Sequence, residues 1–254
     1  EENAPVRPPV MCPGCPHRGT YYVLKKQKLT VSGDIGCYTL GALPPTETMD
    51  ICVCMGASVS GAHGIEKARG KEFGKKTVAV LGDSTFIHSG ITGLIDIVYN
   101  KGNSTVIILD NSITGMTGHQ HNPTTGYTIK NEPTKQVDLV KLANAVGIER
   151  VRVVDPFNIK ELDKVVKEET SADEPSVIIA QRPCALLKGV KYGGPLKINM
   201  DKCKKCKQCF TIGCPALVKV DDHIEINDAL CIGCELCTKL CNFGAIEKAG
   251  ENNG

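Results

Sequence analysis

The chain has 254 residues, 41% hydrophobic and 23% charged, enough for one domain of ordinary size and a second small one. Thirty basic against 28 acidic residues leave a formal net charge of +2, with no single-sign block beyond Lys202, Lys204, Lys205 and Lys207, so no nucleic acid partner is expected. No apolar run approaches the roughly 18 residues that would cross a bilayer, so no membrane association is expected either.

From about residue 17 to 182, short apolar runs alternate with amphipathic ones, which predicts an α/β fold with a doubly wound, mostly parallel sheet. Strands are expected at 51–55, 77–81, 105–110, 150–154 and 176–180, each rich in Val and Ile, as suits strands covered on both faces. Helices are expected at 58–69, 91–99, 137–145 and 159–168; Leu162, Val165 and Val166 repeat at helical spacing in the last. Residues 1–186 would form this larger domain and 187–197, with Gly189, Gly193, Gly194 and Pro195, a linker. Residues 198–254 form a cysteine-rich segment built as an internal repeat, with runs starting at Cys203 and Cys231. The chain begins Glu1-Glu2-Asn3 without an initiator Met, as an excised or processed portion of something longer would.

In such sheets ligands bind at the carboxyl ends of the strands. Two expected strands end in Gly82-Asp83-Ser84 and in Asp110-Asn111-Ser112. A hard cation such as Mg2+ takes oxygens from one or two carboxylates plus carbonyls, water and phosphate. Asp83, the Asn111 amide and the backbone carbonyl of Ile113 could supply three, and a diphosphate the rest. Gly82 would let backbone approach the phosphate, and Ser84, Thr85 and the following helix terminus would donate to it. The alternative is a plain strand-to-helix turn with an exposed Asp83.

Fourteen cysteines without a secretory leader argue for a reducing, anaerobic cytoplasm unless metal holds them. Cys203, Cys206 and Cys209 stand at two-residue intervals ahead of Cys214-Pro215, and Cys231, Cys234 and Cys237 ahead of Cys241. Three cysteines so spaced surround one 4Fe-4S cube, and the distant fourth of each run completes the other run's cube. This is the pattern of a ferredoxin-like α+β domain with two clusters; zinc would call for two close pairs instead. Four residues, Phe210 to Gly213, follow Cys209 where the regular spacing has three, so the loop must bulge there, and Asn242 replaces the usual proline in the second run. The adjacent lysines could steer an acidic electron carrier, though a solvated loop is the default expectation.

Gly82-Asp83-Ser84 with Asn111 looks like the magnesium-diphosphate motif of thiamine diphosphate enzymes. Joined to Cys12-Pro13-Gly14-Cys15-Pro16-His17-Arg18-Gly19, Gly33-Asp34-Ile35-Gly36-Cys37, Met55-Gly56-Ala57-Ser58 and Met116-Thr117-Gly118-His119-Gln120, it resembles the 2-oxoacid:ferredoxin oxidoreductases. Within them the closest likeness is to the alpha subunit of the indolepyruvate ferredoxin oxidoreductases. The resemblance implies oxidative decarboxylation of a 2-oxoacid, indolepyruvate or another aryl pyruvate, to an acyl-coenzyme A with electrons passing to soluble ferredoxin. It implies that Gly36, Cys37, Gly56, Ala57 and Met116 join Gly82, Asp83, Ser84, Thr85 and Asn111 around thiamine diphosphate. It also implies that Cys12, Cys15, Cys37 and Cys184 hold a third 4Fe-4S cluster, with zinc or free thiols as alternatives. Cys52 and Cys54 are expected to be buried or loop thiols rather than ligands. His17, beside Cys15, is the first candidate for contact with substrate or cofactor, ahead of His119 and His121, while His63 and His88 are weaker and Asp34 is expected only to cap a turn. The glutamate that faces the aminopyrimidine in such enzymes comes from a pyrimidine-binding domain not found here, so the rest of the polypeptide or a partner subunit, and a smaller second subunit, are expected to complete the enzyme. The alternative function is an iron-sulfur electron-transfer module without thiamine chemistry; a nonoxidative thiamine decarboxylase is a third.

Overall fold

A computed structural model describes residues 8–249. Its centre is a six-stranded sheet whose pairings are all parallel. In chain order the elements are α1 (His17–Gln27), β1 (Thr30–Gly33), β2 (Ile51–Cys52), α2 (Ala57–Arg69), α3 (Lys71–Gly74), β3 (Thr77–Gly82), α4 (Asp83–Thr85), α5 (Ile91–Tyr99), β4 (Thr105–Asp110), α6 (Leu139–Ala145), β5 (Arg150–Val154), α7 (Ile159–Thr170) and β6 (Ser176–Gln181). The spatial order is β2-β1-β3-β4-β6-β5. The expected strands at 77, 105, 150 and 176 are present, as are all four expected helices.

Because side chains alternate across a strand, β3 sends Val78 and Val80 to one face and Ala79 and Leu81 to the other; β4 and β6 do the same with Ile107 and Ile178 against Ile108 and Ile179. The second face packs against α2, α5 and α6 through Val59, Ala62, Leu94, Ile97, Leu139 and Ala143. The first packs against Tyr21, Val23 and Leu24 of α1 and Leu162, Val165 and Val166 of α7. Continuous apolar strands follow from this double cover.

Two local expectations change. The run 51–55 forms only a two-residue strand, with Val53 70% exposed, because β2 lies at the open edge of the sheet. Cys52 and Cys54 are exposed there, Cys54 in the loop beyond β2, which is the loop alternative of the expectation. His17 opens a helix instead of lying in a loop; α1 has few apolar residues, but three of them are fully buried.

Beyond the sheet, residues 196–248 fold as two similar halves. Strand β7 (Leu196–Ile198) precedes the first cysteine run, whose last turn is a 3-10 helix over Gln208–Ile212, and β8 (Leu217–Val220) follows. Strand β9 (His223–Ile226), a 3-10 turn over Cys237–Leu240 and β10 (Ile246–Lys248) repeat the pattern. The strands pair antiparallel, β7 with β10 and β8 with β9. The extra residue of the first run is taken up at Gly213, whose φ of 70° lies in the left-handed region that glycine tolerates. Ile212, Leu217, Ile224, Leu236 and Leu240 from these halves share one apolar core with α1, α7 and the sheet. Among the described residues no helix is long and apolar enough to cross a membrane.

Candidate functional site

Strands β1, β3 and β4 are neighbours, and their carboxyl ends deliver Asp34, Asp83 and Asn111 to one edge of the sheet. There a cavity of about 560 Å³ is lined by Gly36, Cys37, Gly82, Asp83, Ser84, Thr85, Asn111, Ile113, Met116 and His17, all singled out from sequence. Gly56 and Ala57 do not line it; Met55 does. They begin α2 instead, where Asp34 accepts hydrogen bonds from Gly56 N (3.0 Å), Ser58 N (3.1 Å) and Ser58 Oγ (2.7 Å). Asp34 therefore caps a helix from a distant loop rather than capping its own turn. Asp34→Ala would orphan two buried backbone donors and a hydroxyl, and is expected to destabilise the fold by about 3 kcal/mol in a urea unfolding titration.

Asp83 is 3% exposed. Its carboxylate accepts from Ser84 N (2.8 Å), Thr124 Oγ1 (3.1 Å) and Asn122 Nδ2 (3.4 Å), and burial, reinforced by the nearby Asp110 carboxylate, pushes its pKa up to about 6. A buried carboxylate held this way is short of positive charge, which fits a cation ligand. Asn111 is buried beside it, and its Oδ1 accepts from Ile113 N at 3.4 Å. Thr124 and Asn122 arrive from the long loop after β4; no local pattern marks them in the sequence.

Tyr38 is the other residue the sequence did not reveal, although it directly follows Cys37. Its hydroxyl donates to the Ile35 carbonyl (3.0 Å) and lies 3.2 Å from Thr85 Oγ1, and its ring meets His17 edge-on with centroids 5.8 Å apart. A Cβ at Gly36 would come within 2.4 Å of that ring and one at Gly82 within 2.9 Å. Gly82 is thus required by Tyr38, not only by an approaching phosphate. His17 is buried and pushed down to about 4, by burial first and by neighbouring Arg18, so it is a neutral imidazole.

Cys12, Cys15, Cys37 and Cys184 line a second cavity, of about 980 Å³, that shares His17, Cys37, Asn111, Gly115 and Met116 with the first. Burial raises the Cys15 thiol to about 12 and also raises Cys37 and Cys184. His119 reaches this group, with Nε2 4.0 Å from Cys184 Sγ. His121 turns away toward Thr125 Oγ1 (3.0 Å) and Asn131 Oδ1 (3.1 Å), His63 is buried beside Glu66, and His88 contacts Ser89.

The remaining eight thiols divide crosswise, as the spacing predicts. Cys203, Cys206 and Cys209 line one cavity with Cys241, and Cys231, Cys234 and Cys237 another with Cys214. Among the described residues no three His, Cys, Asp or Glu side chains converge as a single-ion site. Backbone amides point at several sulfurs: Leu196 N at Cys231 (3.5 Å), Lys205 N at Cys203 (3.4 Å) and Ala245 N at Cys241 (3.3 Å). Burial raises Cys209, Cys234 and Cys237, so metal uptake must release protons.

Residues 34–180 match the family model of the thiamine pyrophosphate enzyme C-terminal TPP binding domain. The chain is 40% identical over 261 residues to "Indolepyruvate oxidoreductase subunit IorA" of Archaeoglobus fulgidus, covering 98% of this chain and 41% of the relative. To the protein of the same name from Pyrococcus abyssi it is 39% identical over 273 residues, covering 99% and 42%. It thus spans about two fifths of the length of the curated relatives it matches. Among solved structures, a 2-oxoglutarate:ferredoxin oxidoreductase from Magnetococcus marinus superposes with a TM-score of 0.60 at 19% identity, over 73% of this chain and 68% of that one, a likeness of fold. The resemblance read from the motifs is borne out along nearly the whole chain, and the family match takes in the strands from β2 to β6 together with the Asp83–Asn111 edge: the chain belongs to the thiamine pyrophosphate enzymes and carries their C-terminal TPP binding domain.

Proposed function

We propose that the chain is the cofactor-carrying part of a 2-oxoacid:ferredoxin oxidoreductase that converts indolepyruvate or another aryl pyruvate to its acyl-coenzyme A and passes electrons to soluble ferredoxin. The observation that carries this reading is the shared wall between the cofactor cavity and the cavity ringed by Cys12, Cys15, Cys37 and Cys184. Thiamine diphosphate, when bound, supplies a thiazolium that can hold the electron pair left by decarboxylation. Asp83, Asn111 and the Ile113 carbonyl would hold Mg2+ and the diphosphate, and Ser84 and Thr85 would contribute polar groups beside it. His17, neutral and wedged against Tyr38, forms the wall between the two cavities and can orient groups there without adding charge.

The three sets of four thiols would each hold a 4Fe-4S cluster, with residues 198–254 acting as a ferredoxin-like domain and 187–197 as its linker. The crosswise grouping of the later eight thiols into two sets of four and the amides directed at sulfur support cubes over zinc, which calls for two close pairs. The cavity order then gives an electron path. The Cys12 set adjoins the cofactor, the Cys214/Cys231/Cys234/Cys237 cavity is walled by Pro13 and Gly14 of the Cys12–Cys15 loop, and the Cys203/Cys206/Cys209/Cys241 cavity lies outermost beside exposed Lys204 and Lys205.

A partner would complete the site. Among the described residues no glutamate lines the cofactor cavity. Ile35, Met55 and Met116 line it and are exposed, an apolar edge suited to the rest of the polypeptide or a subunit that supplies the pyrimidine-binding domain. The test is metal content of the protein prepared without oxygen. About twelve irons per chain are expected; about eight would confine clusters to the cysteine repeat and favour a bare electron-transfer module, and zinc in their place would overturn the electron-transfer reading.

A further inference from the structure

Arg18 is 2% exposed, yet its hydrogen-bond partners are all backbone carbonyls. From the first turn of α1, Nε donates to the Cys12 carbonyl at 3.2 Å and Nη2 to the Met11 carbonyl. Nη1 donates to the Gly213 carbonyl and, at 3.4 Å, to that of Ile212. One planar fork therefore ties the loop of Cys12 and Cys15 to the loop ending at Cys214, 195 positions away along the chain. The seat is Gly213, the residue that the first cysteine run has in excess, and a Cβ there would stand 3.2 Å from Nη1.

A guanidinium does not give up its proton in a protein, and burying it costs several kcal/mol unless negative charge faces it. Among the described residues the ionisable groups facing Arg18 are Cys15, Cys214, Cys12 and Cys234, and no carboxylate pairs with it. Two of these thiols belong to the cavity beside the cofactor and two to the next. Arg18 itself lines the second of these cavities and reaches the first through the Met11 and Cys12 carbonyls, while none of its partners belongs to the outermost one. Carbonyl dipoles meet part of the need for negative charge; the thiolates of bound clusters would meet the remainder.

We propose that Arg18 is a positioning residue and fixed positive charge shared by two of the three four-thiol sites. It holds their loops in register, and its charge favours the reduced, more negative state of both iron-sulfur groups over that of the third. The proposal rests on the iron-sulfur reading above. Its test is potentiometric titration, followed by electron paramagnetic resonance, of the complete protein with its partner subunits, comparing the unmodified form with Arg18→Met and Arg18→Lys. Arg18→Met is expected to keep its iron while the one-electron reduction equilibria of two clusters fall about tenfold, 59 mV, and the third stays put. Arg18→Lys, which keeps the charge but loses the fork, should stay within about threefold of the unmodified protein.

Full iron with all three potentials unmoved, or all three moved alike, would overturn the proposal while leaving the iron-sulfur reading intact. Zinc in the unmodified protein would sink both. Should Arg18→Met fail to assemble, Arg18→Gln, which keeps hydrogen-bond donors but not the charge, takes its place: a tenfold fall at the two sites alone upholds the proposal, and unmoved potentials refute it.

Discussion

Asp83→Asn is expected to weaken binding of Mg2+ and thiamine diphosphate by roughly a hundredfold, about 2.8 kcal/mol, in calorimetric titration of the assembled protein. Among the described residues Asp83 is the only carboxylate lining the cofactor cavity. Without it the protein would offer the cation only neutral oxygens. The loss should not be a folding artefact. Burial raises this carboxyl's pKa to about 6, above its ordinary 3.8, so the native state holds the proton more tightly than the unfolded one. Its contribution to the cofactor-free fold is therefore best below the ordinary value and is lost as pH rises through about 6. At neutral pH the uncharged Asn should leave the cofactor-free protein at least as stable as the unmodified one, read by thermal unfolding. Thr124→Val, which removes one donor to the carboxylate, should cost about tenfold in the same titration. Unchanged affinity in Asp83→Asn would place the cation elsewhere.

Cys37→Ser is expected to remove about four of about twelve irons and to stop substrate-dependent dye reduction, while thiamine diphosphate still binds. The reason is its position. Cys37 lines both the cofactor cavity and the thiol cavity beside it, where, on the proposed function, the electron pair would leave as single electrons. Cys52→Ala and Cys54→Ala are the controls: both thiols are exposed, and neither lines any of the three thiol cavities. Iron content should be unchanged in them. Retention of full iron in Cys37→Ser would assign the fourth ligand to another residue.

Much of the fold was legible because β3, β4 and β6 are apolar on both faces and end abruptly in polar residues, so Gly82-Asp83 and Asp110-Asn111 mark the edge where ligands gather. The crosswise grouping of the eight later cysteines was legible for a similar reason, since each three-cysteine run is a local turn. Contacts made across the chain left no such trace. Asn122 and Thr124 reach Asp83 from a loop some forty positions away, and nothing in their own neighbourhood announces it. Asp34 serves a helix beginning more than twenty positions later. The run 51–55 misleads in the opposite direction: its apolar residues satisfy a strand pattern but sit on an uncovered flank, where a second protein surface, rather than this chain's own core, would bury them. Arg18 reads as one more surface cation until Gly213 is seen beneath it.

The apolar core shared by the cysteine repeat and the first face of the sheet has a practical outcome. A protease that nicks the exposed stretch around Lys188 and Lys191 should yield two fragments that stay together on a native gel and separate only in denaturant. Expressing residues before this stretch alone would uncover Arg18, Tyr22 and the Cys12–Cys15 loop to water, and such a truncated product should precipitate rather than serve as a miniature cofactor-binding protein.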